Sequence, residues 1–533
     1  MIRYRTSILL VIGLVAGRAA SAQGGQGSGN SALDHAIRAF YEAKDNRELR
    51  SAKSDIASLE SNPDSVWQRM SQGSAFSPRV SKGRLNLDHR TQDGEDHHYI
   101  LVVPSTYNPA VPSSLRIYLH GGVETEDKNI GARWDFDRFA SPDGIAVYPS
   151  AWRGAMWWRA NQLENILGII EDLKRTYNVD ENRIHVIGVS DGGTGAFFLA
   201  FKTPTPFASF LPLIGSAAVL VNPRLGAEGP FYVPNLRNAP LFMVNGALDP
   251  LYSVRDVAPY VALYRQAGVN VTFHPRAETG HDLRWWAEES ASIDSFVAAH
   301  PRNPFPDRIS WETERTDRFN RAFWLTIDSL GPTEGETNFP ALDSVVPLRP
   351  EPSLGVRADP TSRDGVRLLS VELGSLAGAA GLLAGDRIVG VNGTATPTLR
   401  ALLEASQGLG WDDSMHVTFE RGGTQRRIIV VLGPRPDTTA VGPVLAFPRP
   451  RPTGRVELIR TGNQVEVKTH GVRRFTLLLS PSQFNLDQPI TVITNGKVSF
   501  EGLVPKSVDT LLRWASLDRD RTMLYLGELS VTP

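Results

Sequence analysis

Cysteine is absent from the 533 residues of this sequence. Its absence excludes disulfide bonds, a cysteine nucleophile and metal sites that are built on thiolate ligands. The folded chain must therefore be stabilised by hydrophobic cores, and its length predicts about three domains.

An excess of one charge is also missing, because 56 basic and 57 acidic residues leave a formal net charge of −1. This balance gives no electrostatic footprint for nucleic acid or for an anionic membrane. Beyond the N-terminus, no stretch approaches the roughly 18 apolar residues of a membrane span. We therefore expect no nucleic-acid partner and no transmembrane span in the mature chain.

The N-terminus has the pattern of a secretory signal peptide. Two arginines precede an apolar run from Ile8 to Ala16, and small residues at 20–22 supply a cleavage site. This pattern predicts a signal peptide over residues 1–22, a mature chain that begins at Gln23, and export to the periplasm or the medium.

The most informative segment spans Gly188–Gly192 and reads GVSDG. It follows the apolar run 184–187 and leads into small residues that are typical of a helix start. Glycines on both sides of the serine permit a strand-to-helix turn that holds Oγ exposed. The segment predicts Ser190 as a nucleophile, whereas a glycine-rich turn by itself is also compatible with helix packing or phosphate binding.

Candidates for the acid and the base follow in the order Ser, Asp, His. Asp249 comes after the apolar strand 241–244, and His281 precedes a predicted helix that starts near residue 283. Chemistry in open α/β sheets gathers at the carboxyl ends of strands, which favours a triad of these side chains with Ser190. The alternatives are an Asp-Pro turn at Asp249 and a helix-capping histidine at His281.

A His-Gly-Gly turn at 120–122 ends the predicted strand 115–119. Such a turn aims backbone N–H groups at a developing oxyanion, so we predict donors from Gly121 or Gly122 together with the N–H of Asp191. The Asp191 side chain is interpreted as a helix N-terminal charge. His120 is expected to shape the turn rather than to transfer protons.

Tryptophans cluster in segments that are expected to flank Ser190. We predict that Trp157, Trp158 and Trp285 bind substrate, since indole rings bury large apolar areas in acyl or aromatic clefts. Trp152 and Trp286 belong to the same group. The alternative is that these rings fill the core.

Short strands alternate with helices over residues 83–305, which predicts an α/β domain with a doubly wound, mostly parallel sheet. Residues 23–82 are interpreted as a flexible spacer (23–30) and a helical prefix that packs against this domain. The remaining predicted units are an extension and linker at 306–352, a domain at 353–433, a Pro-rich linker at 434–453, and a small C-terminal β-rich domain at 454–533.

Residues 83–305 resemble the α/β-hydrolase family, and within it exported esterases similar to feruloyl esterases and polyhydroxyalkanoate depolymerases. The resemblance rests on the turn at 120–122, the segment around Ser190, Asn245-Gly246 leading to Asp249, and Gly280-His281. It implies a Ser-His-Asp serine hydrolase that cleaves a small-molecule or polymeric carboxylic ester without a metal or an organic cofactor.

Residues 353–433 resemble the PDZ family through the run Ser375–Gly393 and the loop at 353–356. The resemblance implies a PDZ-like α+β domain in which Leu354, Gly355 and Val356 hold a peptide carboxyl terminus. Such a domain can also merely pack on an enzyme and gate its cleft. Two alternative functions therefore stay open: a serine peptidase that presents peptide termini through this domain, and a non-catalytic peptide-binding protein of the cell envelope.

Overall fold

The computed structural model describes residues 26–73, 75–129, 131, 134–136, 138–141, 144–347, 352–359, 362–406, 408–434 and 442–533. The predicted signal peptide at 1–22 and the cleavage point at Gln23 lie outside these residues. Within the described ranges, no helix is both long and apolar enough to cross a bilayer.

Three helices come first: α1 (Gln26–Glu42), α2 (Asn46–Leu59) and α3 (Pro63–Gln72). Asp45 and Asn62 cap α2 and α3, because each side chain accepts hydrogen bonds from two backbone N–H groups of the following turn. Since α1 already begins at Gln26, it includes most of the segment 23–30 that the sequence predicts as a spacer.

In the described residues of the next unit, eight strands combine with four α-helices. The strands are β1 (Gly83–Arg90), β2 (Asp96–Val103), β3 (Ser113–Leu119), β4 (Gly144–Pro149), β5 (Val179–Val189), β6 (Ser209–Leu213), β7 (Leu241–Gly246) and β8 (Val271–Arg276). The helices are α4 (Ala160–Thr176), α5 (Asp191–Lys202), α6 (Val254–Gln266) and α7 (Trp286–Ala299).

The strands form one sheet in the order β1-β2-β4-β3-β5-β6-β7-β8. Strands β1 and β2 run antiparallel to their neighbours, whereas β4, β3 and β5 to β8 pair in parallel. Alternate side chains enter two separate cores: Ile145 and Val147 pack on the side of α4 to α6, and Tyr148 packs on the side of α7. Burial on both faces explains the nearly continuous apolar strands and confirms the predicted doubly wound α/β sheet.

The rest of the chain is mainly β-structure. Its strands are β9 (Arg308–Thr313), β10 (Arg321–Ala322), β11 (Leu325–Leu330), β12 (Ser344–Val345), β13 (Val356–Ala358), β14 (Val366–Val371), β15 (Arg387–Val391), β16 (Thr394–Ala395), β17 (Ser414–Arg421), β18 (Thr424–Val431), β19 (Val444–Leu445), β20 (Gly454–Thr461), β21 (Gln464–His470), β22 (Val472–Leu479), β23 (Ile490–Thr494), β24 (Lys497–Gly502) and β25 (Gly527–Val531). Its helices are α8 (Leu376–Ala379), α9 (Leu399–Ser406) and α10 (Val508–Asp518).

The C-terminal β unit is assembled from three separate parts of the chain. Strand β9 pairs with β20, and β11 pairs with β22, so the segment predicted as an extension supplies strands to both of its sheets. Phe40 and Ile56 of the helical prefix share a core with Trp311 and Phe475. The prediction that this prefix packs against the α/β domain is therefore wrong for its main contacts, since its apolar face packs on the C-terminal unit.

The domain at 353–433 is inserted into this unit. It has its own six-stranded sheet, in the order β13-β14-β15-β17-β18 with β16 beside β15. At the base of the insertion β12 pairs with β19, and the nearby Phe447 packs against the rings of Phe201 and Tyr260 in the α/β domain. This part of the predicted Pro-rich linker is packed rather than extended, while residues 435–441 lie outside the described ranges.

Buried ion pairs join the α/β domain to the C-terminal unit. Arg302 and Asp520 lie 2.8 Å apart, with side chains only 2% and 5% exposed, and Arg521 contacts Glu181 at 3.1 Å. Burial tends to raise the pKa of Asp520, but the charges of Arg302 and Lys174, together with hydrogen bonds from Thr522 and Arg302, outweigh burial and hold the pKa below its ordinary value. The paired carboxylate therefore contributes stability above its unfolded pKa, and this contribution disappears as the pH falls.

We expect Arg302→Met to lower the free energy of unfolding by about 3 kcal/mol, because Asp520 would be left as an unpaired buried carboxylate. Thermal unfolding followed by circular dichroism at pH 7 measures this loss of stability. The difference in stability between Arg302→Met and wild type should become smaller below pH ~4, because Asp520 is then protonated. Arg90→Met is the control, since the pair of Arg90 with Asp96 is exposed and worth at most about 1 kcal/mol. Equal unfolding midpoints for Arg302→Met and wild type would contradict the assignment.

Candidate active site

Ser190 lies at a tight turn between the end of β5 and the start of α5. Its backbone has φ 57° and ψ −118°, a conformation that non-glycine residues rarely adopt. A Cβ on Gly188 would overlap the carbonyl of Gly192, and a Cβ on Gly192 would overlap the carbonyl of Leu119. The two glycines are therefore required by close backbone packing, as a nucleophile elbow demands.

The three residues predicted to form a triad are brought together. Ser190 Oγ lies 2.9 Å from His281 Nε2, and His281 Nδ1 lies 2.8 Å from Asp249 Oδ2. They follow β5, β7 and β8, whose carboxyl ends meet at one edge of the parallel sheet. The second oxygen of Asp249 accepts hydrogen bonds from the backbone N–H groups of Leu251 and Tyr252.

Exposure differs sharply between the acid and the base. The Asp249 side chain is fully buried, whereas that of His281 is 23% exposed. A buried carboxylate that accepts three hydrogen bonds is fixed in position and orients the imidazole. The arrangement can remove a proton from Ser190 Oγ and return it to a leaving group.

The loop at 120–123 lies directly against Ser190. A Cβ on Gly121 would stand 2.8 Å from Ser190 Cβ, so only glycine fits there without movement. The backbone N–H groups of Gly122 and Val123 both donate to Asp191 Oδ2 at 3.0 Å. The Gly122 N–H is therefore already occupied, which contradicts the prediction that it faces an oxyanion. Asp191 lies in the first turn of α5, as predicted, and its carboxylate also binds the neighbouring loop.

His120 fixes the same loop from the other side. Burial lowers the pKa of His120 to about 4, so the ring is neutral near pH 7. Its Nε2 accepts a hydrogen bond from Ala151 N at 2.9 Å, which leaves Nδ1 to donate to Gly121 O at 2.8 Å. His120 therefore positions the Gly121–Gly122 peptide, in line with its predicted shaping role.

The predicted substrate-binding tryptophans are buried in the protein core. Trp157, Trp158 and Trp285 are at most 2% exposed, and Trp152 and Trp286 are buried as well. The Trp157 indole N–H donates to His120 O at 2.8 Å. The prediction that Trp157, Trp158 and Trp285 line a cleft is wrong, because these rings belong to the two hydrophobic cores of the α/β domain.

Sequence reasoning missed Tyr252, which packs its ring edge against His281 at 5.6 Å between centroids. Burial, reinforced by the charges of Asp191 and Asp249, raises the pKa of Tyr252 to about 12. The residue follows Asp249 by three positions, so the turn that holds the acid also places this ring. Closeness in sequence to Asp249 was the only available signal.

The predicted peptide-binding residues belong to the domain at 353–433 and lie near His281. Leu354, Gly355 and Val356 line a cavity that also contains His281. Within the described ranges, no group of three or more histidine and carboxylate side chains could hold a metal ion.

Comparison with protein families matches residues 352–432 to the PDZ domain. A bifunctional acetylxylan esterase/xylanase, XynS20E of Neocallimastix patriciarum, is 24% identical over 231 residues, which are 41% of this chain and 32% of that protein. The matched region thus spans about a third of this curated relative.

Solved structures of similar fold include several hydrolases. A thermostable esterase is 20% identical over 41% of this chain and 63% of its own, with a TM-score of 0.34. A ferulic acid esterase is 20% identical over 41% of this chain and 99% of its own, with a TM-score of 0.33. S-formylglutathione hydrolase FrmB from Staphylococcus aureus is 17% identical over 42% of this chain and 99% of its own, with a TM-score of 0.33.

Three features of residues 83–299 indicate the same fold: the order of strands in the sheet, the turn at Ser190, and the order Ser, Asp, His of the three side chains along the chain. Strands β1 to β8 and helices α4 to α7 follow one another as in the α/β-hydrolase fold, in which turns of this kind occur. The chain therefore combines a domain of the α/β-hydrolase fold with a PDZ domain at residues 352–432.

Proposed function

We propose that the protein is a serine hydrolase that cleaves carboxylic esters through a covalent acyl-enzyme. The observation that carries this proposal is the pair of hydrogen bonds from Ser190 through His281 to the buried Asp249. A serine hydroxyl is a weak nucleophile by itself, and an adjacent oriented base activates it.

In the first half-reaction His281 Nε2 takes the proton of Ser190 Oγ while Oγ attacks the ester carbonyl carbon. Asp249 keeps the other proton on Nδ1 and stabilises the imidazolium that forms. His281 then protonates the leaving alcohol oxygen, and the C–O bond to that oxygen breaks. Water attacks the acyl-enzyme by the same route and releases the carboxylic acid and free Ser190.

Backbone N–H groups beside Ser190 serve the oxyanion. We assign this role to the N–H of Asp191, which opens α5 and benefits from the helix dipole, and to the N–H of Gly121. The Gly122 N–H is held by the Asp191 carboxylate, so it fixes the loop instead of contacting the oxyanion. His120 and Asp191 together hold the Gly121–Gly122 peptide from both sides.

Esters are the proposed substrate class because the curated relative is a bifunctional acetylxylan esterase/xylanase, and a Ser-His-Asp arrangement suits the esterase activity in that name. The substrate in that name carries an acetyl group on an alcohol oxygen. His281 can return its proton to such an oxygen when the alcohol leaves.

We also propose export, based on the signal-like pattern at 1–22. Expression of the full chain in a bacterial host should yield an extracytoplasmic protein whose measured mass corresponds to a chain that begins at Gln23. Retention of residues 1–22 on a cytoplasmic product would contradict this proposal.

A fluorophosphonate probe should label wild-type protein at Ser190. Labelling should vanish in Ser190→Ala, and turnover of p-nitrophenyl acetate should fall by at least about 10⁴-fold in both Ser190→Ala and His281→Ala. Ser58→Ala, on the exposed face of α2, is the matched control and should retain full labelling. A folded wild-type protein that neither reacts with the probe nor hydrolyses esters would refute the proposed function.

Asp191→Ala should lower kcat by about 10- to 100-fold, because the loop that carries Gly121 loses both of its hydrogen bonds to this side chain. Asp191→Asn retains an acceptor oxygen and should keep most of the activity. Steady-state kinetics on p-nitrophenyl acetate, with circular dichroism as a check of folding, measures both variants. Equal activity of Asp191→Ala and wild type would show that the loop does not depend on this carboxylate.

A further inference from the structure

Asn245 lies near the end of β7 and is fully buried. Its Nδ2 donates hydrogen bonds to two backbone carbonyls, Gly215 O at 3.3 Å and Tyr252 O at 3.1 Å. The opposite orientation of the amide would place its oxygen against both carbonyl oxygens and is therefore excluded. One buried side chain thus joins the segment after β6 to the turn that follows Asp249.

The segment after β6 packs against the turn at Ser190. The N–H of Ser190 donates to Leu213 O at 3.0 Å. A Cβ on Gly215 would stand 2.9 Å from Gly193 and 3.1 Å from Ser190 O, so glycine alone fits there without movement. A displacement of Gly215 would therefore move the backbone that carries Ser190 Oγ.

The same segment has a strained backbone. Ile214 has φ 41°, in the left-handed region that β-branched residues rarely adopt. Such a conformation persists only where the surrounding structure fixes it. The N–H of Ile214 donates to Val244 O at 2.7 Å, and the carbonyl of Gly215 accepts from Asn245. Both contacts come from β7, so this strand holds the segment against Ser190.

The turn after Asp249 is fixed at its other end by Tyr252. The N–H of Tyr252 donates to Asp249 Oδ1 at 3.0 Å. Its ring makes an edge-to-face contact with the imidazole of His281, with centroids 5.6 Å apart. Tyr252 thus contacts the acid through its backbone and the base through its ring. Its carbonyl is the one that Asn245 holds.

We propose that Asn245 is a positioning residue, which keeps the turn at 249–252 and the turn at Ser190 at a fixed separation. It acts through Gly215 on one side and through Tyr252 on the other. Proton transfer from Ser190 Oγ to His281 needs this separation, because catalytic groups must be held within about 0.5 Å of the productive geometry. The inference rests on the proposed ester hydrolysis and adds to it a residue outside the triad.

Asn245→Leu removes both hydrogen bonds and keeps a side chain of similar size. We expect kcat on p-nitrophenyl acetate to fall about 10- to 100-fold and KM to change less than about twofold, because the ester still binds while the reacting groups are displaced. Circular dichroism checks folding. Asn235→Leu is the matched control, since Asn235 is also buried in this domain and donates from Nδ2 to two carbonyls, Phe201 O and Glu312 O. It should have the kcat of wild type.

Tyr252 provides a second test at a partly exposed position. Tyr252→Ala removes the ring contact with His281 and should lower kcat about tenfold with little change in KM. Tyr252→Phe retains the ring and should recover most of the kcat that Tyr252→Ala loses. In the double variant Asn245→Leu/Tyr252→Ala, the loss should be smaller than the product of the two single losses, because both changes act on the same turn.

Proton NMR in water reports the geometry without a substrate. The Nδ1 proton of His281, donated to Asp249 at 2.8 Å, should give a strongly deshielded resonance that is absent from His281→Ala. The resonance should shift or broaden in Asn245→Leu and stay unchanged in Asn235→Leu.

Equal kcat of Asn245→Leu and wild type, with an unchanged resonance, would overturn the inference. An equally large loss of kcat in Asn235→Leu would also overturn it, since both changes would then act through general stability. Losses that multiply in the double variant would overturn the route through Tyr252. A wild-type protein that hydrolyses no ester would count against the proposed function, whereas the NMR comparison would still decide whether Asn245 positions His281.

Discussion

Close backbone packing around Ser190 determines how the rest of the site is arranged. The turn from β5 to α5 is packed against the end of β3, where a side chain on Gly192 would overlap the carbonyl of Leu119. Within the turn, a side chain on Gly188 would overlap the carbonyl of Gly192. The same contact brings Gly121 against Ser190, so Ser190 and the adjacent loop are fixed by one constraint. The positive φ of Ser190 is sustained by this surrounding structure and keeps Oγ directed toward His281.

The α/β domain is packed against the C-terminal β unit and the PDZ domain. One discontinuous unit consists of helices α1 to α3, strands β9 to β11 and the last 80 residues. It contacts the α/β domain through the ion pairs of Asp520 with Arg302 and of Arg521 with Glu181. The PDZ domain leaves this unit between β12 and β19, and Phe447 anchors the base of the insertion in the hydrolase core. This anchoring places β13 and α9 beside His281, where they share a cavity with the catalytic edge.

Local signals predicted most of the α/β sheet and the three side chains that hydrogen bonds join in the structure, Ser190, His281 and Asp249, because each of them follows a predicted strand at a turn that contains glycine. Where a residue type serves two purposes, the same reasoning failed. Trp157 and Trp285 have the size for either a core or a cleft, and their burial is decided by how much space the loops above them leave. The predicted separation of the extension at 306–352 from the C-terminal domain failed for a related reason, since a short strand such as β9 does not indicate its distant partner β20.

The sequence by itself determined the candidates for the chemistry. Ser190, His281 and Asp249, the glycines around Ser190 and the PDZ run all lie in short-range patterns, and backbone conformation at such turns depends on neighbouring residues. Only the tertiary structure decided which polar groups meet. The Asp191 carboxylate accepts a hydrogen bond from the N–H of Gly122, which lies 69 positions earlier in the chain. His281 lines a cavity together with Leu354 of another domain. Such contacts are set by how whole elements pack, and packing depends on many distant side chains together.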